Sequence, residues 1–176
     1  GSGGDGSHRD LTLAAWTKTN VTAAKNVTGV DGTANAASTL TASAANGTCT
    51  YAVTSSGTGT FNAFVRRLTG YGRVWMTRDG GASYVDVTPS SKLLWKRVSV
   101  TSATTNPTVG FLIETNADAI QIDVCNDTNT SFLAEPYIGR PYDVPNQTIT
   151  QVWGGATVQG RRYILEYTVK TDGWAI

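Results

Sequence analysis

Short runs in which apolar and polar residues alternate, broken by Gly, Asp, Asn and Pro, fill most of the chain. A repeat of two is the spacing of a strand with one buried face, and the punctuation marks turns. The densest such region spans residues 60–100. It reads as a strand at Phe61–Leu68, a turn at Gly70–Gly72, a strand at Arg73–Arg78, a turn at Asp79–Gly81, a strand at Ser83–Thr88 and, past a Pro/Ser turn, a further strand from Trp95. Phasing sends Phe61, Ala63 and Val65, then Val74 and Met76, then Val85 and Val87 to the core. The opposite faces hold Phe64, Arg66, Arg73, Trp75, Tyr84 and Asp86, a mixture of rings and charged hydrogen-bonding groups.

The flanking sequence continues the alternation. Leu11, Leu13 and Trp16 open it, with Trp16 as a plug on the core. Ser38, Leu40 and Ala42 follow the Asp31-Gly32-Thr33 turn, and Cys49, Tyr51 and Val53 share a face after that. Later inward sets are Val98 and Val100, then Val109, Phe111 and Ile113, then Ile120, Ile122 and Val124; Gln121, Asp123 and Cys125 point outward. Strands of this length, spaced roughly 8 to 12 residues apart, predict an all-β fold, an antiparallel two-sheet jelly-roll β-sandwich. The texture changes at Pro141–Pro145, and residues 148–170 predict a C-terminal β-hairpin extension that is marginal alone and must pack on the sandwich or on another subunit. The expected organisation is a linker at residues 1–9, a sandwich at 10–140 and the linker with its hairpin at 141–176.

Composition narrows the function. Among 176 residues the formal net charge is +1 and 15% are charged, which is poor material for a phosphate-neutralising surface and argues against nucleic acid. No apolar run approaches the roughly 18 residues of a membrane span, so membrane insertion is not expected. The only histidine, His8, falls in the segment read as linker, which removes histidine-based acid–base chemistry. Carboxylates Asp79, Asp86, Glu114 and Asp123 show no spacing that selects a catalytic pair. Cys49 and Cys125 are compatible with two thiols or with one disulfide.

The segments Trp16–Thr22, Asp31–Thr33, Asp79–Tyr84, Trp95–Val98 and Ala119–Asp123 together resemble the jelly-roll modules of phage tail proteins and tailspikes, which are similar to carbohydrate-binding modules of glycoside hydrolases. The resemblance spans residues 11–141. It implies a non-catalytic module that binds a cell-surface polysaccharide or glycan as a host receptor, located in a virion tail or outside the cell. It also implies a structural calcium, with Asp123 as a ligand that needs help from Asp31 or backbone carbonyls, and a core role for Trp95. Two other readings stay open: a virion assembly module that forms a homotrimer through the C-terminal hairpin, and an accessory domain of a polysaccharide-degrading enzyme. On the glycan reading, Trp75, Phe64 and Tyr84 stack on sugar rings while Arg66, Arg73 and Asp86 bind hydroxyls. On the assembly reading the same face is covered by protein.

Overall fold

The structure, a computed structural model, describes residues 6–128. Ordered structure among them consists of strands: β1 (Trp16–Thr19), β2 (Val21–Val27), β3 (Ala37–Ala42), β4 (Gly47–Ala52), β5 (Gly59–Thr69), β6 (Val74–Thr77), β7 (Val85–Asp86), β8 (Lys96–Ser102), β9 (Thr108–Ile113) and β10 (Ala119–Thr128). They form two five-stranded sheets, in the orders β1-β4-β9-β6-β7 and β2-β3-β10-β5-β8. Every pairing is antiparallel. This is the two-sheet jelly-roll sandwich that the alternation predicts. No helix among the described residues is long and apolar enough to cross a membrane.

The core lies between the sheets. Phe61, Ala63 and Val65 of β5 meet Val74 and Met76 of β6, Val109, Phe111 and Ile113 of β9, and Ile120 and Ile122 of β10. Phe61 and Phe111 join the layers through tilted rings with centroids 5.6 Å apart, an arrangement their quadrupoles favour. Trp16 closes one margin of the core as expected: it is 3% exposed and tilts against Tyr51 at 5.1 Å. Cys49 and Cys125 are buried thiols with no disulfide between them. Burial pushes the Cys49 thiol up to about 12.

Four positions depart from the simple alternation. In β10, the register against β5 slips between Asp123 and Asn126. Val124 takes a positive φ of 48° there, and the extra residue reverses the phase. Cys125 therefore joins the core cluster, and Val124, still buried, lies outside it. In β5, Arg67 keeps the inward phase of Phe61, Ala63 and Val65 and, although charged, is 2% exposed; the second slip against β10, between Ala119 and Ile120, lies beyond it. Val85 was expected inside but is 43% exposed, because β7 is a two-residue edge strand with a neighbour on one side only. Trp95, for which the resemblance implies a core role, is half-buried outside the core cluster, with the Arg66 guanidinium 4.4 Å above its ring.

The beginning of the chain also differs from expectation. His8 and Arg9 were read as linker, yet the Cys125 amide donates to the His8 carbonyl at 2.7 Å and Ser38 Oγ donates to the Arg9 carbonyl at 2.7 Å. The Trp16 indole N–H donates to the Ser7 carbonyl at 2.9 Å. These bonds are made with distant strands, which sequence periodicity does not register. The expected hairpin, and the trimer contact assigned to it, lie outside the described residues.

Candidate functional site

The six residues expected to share a recognition face are divided between the two sheets. Phe64 and Arg66 belong to β5, in the β2-β3-β10-β5-β8 sheet; Trp75 and Asp86 belong to β6 and β7 of the other, with Arg73 just before β6 and Tyr84 just before β7. Each sheet presents its own outer face, so the two groups cannot act on one ligand.

On the β5 side the chain uses its own polar groups. Arg66 Nε donates to Gln121 Oε1 at 2.6 Å and Nη1 to the Leu93 carbonyl at 3.2 Å, while the guanidinium plane covers Trp95. Phe64 lies in register with Arg97 and Asp123 and is half-buried. Little of that fork is left for a ligand.

The β6 side is open. Trp75 is paired across the sheet with Leu112 of β9 and Asp86 of β7. With Asn46, Tyr84, Leu112 and Glu114 it lines an open depression of about 250 Å³. Its phase follows from Val74 and Met76, which are fully buried and turn Trp75 outward. Tyr84 is delivered by the Asp79–Ser83 turn. There the Asp79 carboxylate accepts the Ser83 amide at 2.9 Å and the Ser83 hydroxyl at 2.5 Å, and Thr77 Oγ1 accepts the Gly81 amide at 2.9 Å. Gly81 has a φ of 91°, and a Cβ there would sit 2.7 Å from the Tyr84 hydroxyl, so only glycine lets the ring rest on this turn. Asn46, with a φ of 58°, stands at the entry to β4 and donates its amide to the Glu114 carbonyl at 3.0 Å.

Charge is placed at the edge of this depression. Arg73 Nη1 is hydrogen-bonded to Asp86 Oδ2. The Asp86 carboxyl is held below the usual carboxylate range, first by the Thr88 hydroxyl and amide and then by Arg73. Hydrogen bonds from Ser83 likewise hold Asp79 down. Both groups are therefore acceptors near neutral pH rather than proton donors. Asn46 and Leu112 were missed in the sequence as site residues, and Glu114 was weighed there only as a catalytic carboxylate. Leu112 was the visible clue: in a strand whose Val109, Phe111 and Ile113 all point inward, it is an apolar residue on the outer face.

Asp31 and Asp123, the residues expected to hold calcium, do come together, but around Arg9. Arg9 Nε and Nη2 donate to the two oxygens of Asp123 at 2.8 and 2.9 Å, and Nη1 and Nη2 to the two oxygens of Asp31 at 3.0 and 2.9 Å. Asp123 also accepts the amides of Val30 at 2.8 Å and Val124 at 2.9 Å. Calcium needs six or more oxygen ligands, and here every Asp123 oxygen already takes two donors. The corner as built does not fit the ion. Among the described residues no group of three or more His, Cys, Asp and Glu side chains is arranged to hold a metal.

Arg9 holds the Asp31 carboxyl well below its usual range through hydrogen bonds. A depressed carboxyl pKa contributes stability above the unfolded value, about 3.9, and loses it as pH falls through the folded one. Asp31→Asn should therefore lower the melting temperature by about 2–4 °C near neutral pH and converge with the wild type in acid. Melting curves across the acid range check this; a constant difference at all pH values would contradict it.

Comparison with known proteins gives likeness of fold at low identity. No protein-family model and no curated protein sequence matches the chain. A CBM35 structure from Paenibacillus barcinonensis aligns at 13% identity and TM-score 0.49 over 68% of this chain and 96% of its own. The CBM22-1 xylan-binding domain from the same organism aligns at 13% identity and TM-score 0.45 over 68% and 90%. The enzymatically active domain of tailspike protein 4 from bacteriophage CBA120 aligns at 11% identity and TM-score 0.46 over 72% of this chain and 21% of its own. At these values the alignments carry no argument about function, which is read from the chain's own side chains.

Proposed function

We propose that the protein is a non-catalytic glycan-binding module whose ligand lies on the outer face of the β1-β4-β9-β6-β7 sheet, across Trp75 and Tyr84. The observation that carries this reading is the open depression in which two aromatic side chains stand beside Asn46 and Glu114, with the Arg73–Asp86 pair nearby. Apolar sugar faces stack on the rings, and hydroxyls meet the amide and carboxylates. Glycoside hydrolysis would need one carboxyl raised to act as an acid; Asp79 and Asp86 are instead both lowered. The finer assignment, recognition of a host cell-surface polysaccharide by a module of a phage tail fibre or tailspike, rests on the sequence resemblance and is part of this proposal.

The test starts from a glycan array probed with the full chain, followed by calorimetry on the strongest ligand. Removing one stacking ring forfeits about 1.5–3 kcal/mol, so Trp75→Ala should weaken binding by about 10- to 100-fold. Arg66→Ala, on the opposite sheet, should leave the affinity unchanged. Binding lost in Arg66→Ala and retained in Trp75→Ala would move the site to the other face. A stable trimer with no glycan signal would favour the assembly reading.

A further inference from the structure

We propose that Arg9 is a built-in cation: its guanidinium closes the corner between the residue 29–33 turn and the β10 bulge, so the domain folds without a divalent ion there, and removing it exposes a corner that calcium can fill. The geometry is that of a fitted group. One planar fork serves two carboxylates through four hydrogen bonds of 2.8–3.0 Å, the bidentate matching that arginine provides and a point charge does not. The Asp123 side chain is 0% exposed, and a buried carboxylate requires a compensating charge.

The surroundings are shaped for the fork. A Cβ on Gly29 would collide with Arg9 Nη2 and would lie 2.7 Å from Asp123 Oδ2 and 3.0 Å from Asp31 Oδ1, so the backbone reaches the ion pair only because residue 29 is glycine. The turn that carries Asp31 is tied by the Gly29 amide on the Thr33 carbonyl at 2.8 Å and the Gly32 amide on the Gly29 carbonyl at 2.9 Å. Arg9 itself is held by main-chain bonds on either side: its amide donates to the Gly6 carbonyl at 3.1 Å, and Ser38 Oγ bridges the Arg9 carbonyl at 2.7 Å and the Leu11 amide at 2.9 Å. The bond from the Cys125 amide to the His8 carbonyl fastens the same segment to the bulge that presents Asp123.

One positive charge faces two negative ones. Without Arg9 the corner would hold two carboxylates brought together by the turn and the bulge, four oxygens to which water can add. Calcium tolerates such irregular coordination, whereas magnesium demands near-octahedral geometry and gives up water reluctantly.

Thermal unfolding of the full chain tests this. The wild type should melt at the same temperature in excess EGTA, in millimolar calcium and in millimolar magnesium; a rise with calcium would overturn the proposal. Arg9→Gln should melt about 10 °C lower in EGTA and regain much of that loss in calcium but not in magnesium. An Arg9→Gln variant that melts like the wild type would also overturn it. Should Arg9→Gln not fold in EGTA, its refolding from denaturant in calcium but not in magnesium supports the proposal, and failure to fold in either ion overturns it.

Discussion

Replacing Arg78 by alanine is expected to lower the unfolding free energy by about 3–5 kcal/mol, the cost of leaving a buried carboxylate without its partner. Arg78 follows β6 in one sheet, and its side chain is 0% exposed. Its Nε and Nη2 donate to the two oxygens of Asp127 in β10 at 2.7 and 3.1 Å, and Nη1 donates to the Ser102 carbonyl at the end of β8 at 3.0 Å. One arginine thus bonds the first sheet to two strands of the second. Gly59 makes room for it, since a Cβ there would strike the guanidinium. Denaturant unfolding reads the loss as a lower midpoint with an unchanged slope. Combining Arg78→Met with Asp127→Leu removes both charges and should recover most of the loss. Wild-type stability in Arg78→Ala would show that water reaches Asp127.

Arg67→Ala is expected to cost a similar amount, about 3–5 kcal/mol, and in addition to weaken glycan binding by about tenfold, because this arginine holds the segments that carry the proposed site. Arg67 Nε donates to the Pro89 carbonyl at 3.1 Å and Nη2 to the Gly72 carbonyl at 2.5 Å, while Asp118 pairs with Nη1 at 3.4 Å. The Gly72 amide in turn donates to Asp118 Oδ2 at 2.7 Å. Gly72 lies in the turn that leads to Arg73 and Trp75, and Pro89 follows the strand that carries Asp86. Burial lowers the Arg67 pKa and the charge of Asp118 opposes that shift, so the pair persists only as a pair. Calorimetric titration of the ligand that depends on Trp75, at a temperature where the variant is folded, separates the two effects. An unstable variant with wild-type affinity would mean that the turn keeps its shape without Arg67.

The inward residues of the core strands were readable because a half-buried strand writes its phase into every second residue. Phe61, Val65, Val74, Met76, Val109, Phe111, Ile113, Ile120 and Ile122 are all inside, as their spacing required. The same rule failed where a single residue was inserted. Past the β10 bulge it sent Cys125 out, whereas Cys125 joins the core cluster and Val124 is buried outside that cluster, and nothing local in Asp123-Val124-Cys125 announces a positive φ. The proposed site was half legible. Trp75, Tyr84, Arg73 and Asp86 were found as outward residues of one stretch, but period two assigns a residue to a face without saying which sheet owns that face. Phe64 and Arg66 were grouped with them for that reason.

The chain's periodicity and turn residues by themselves determined an antiparallel sandwich and most of the residues of its core, since these depend on neighbours a few positions apart. Tertiary structure alone decided which strands share a sheet, and hence that Trp75 and Arg66 look in opposite directions. It also decided the partners of three arginines, Arg67 and Arg78 buried and Arg9 partly so. Asp118, Asp123 and Asp127, along or just before β10, are taken by Arg67, Arg9 and Arg78, which lie 51, 114 and 49 residues away along the chain. A carboxylate finds such a partner only when the sheets close, because charge pairing is set by distance in space and leaves no period in the sequence.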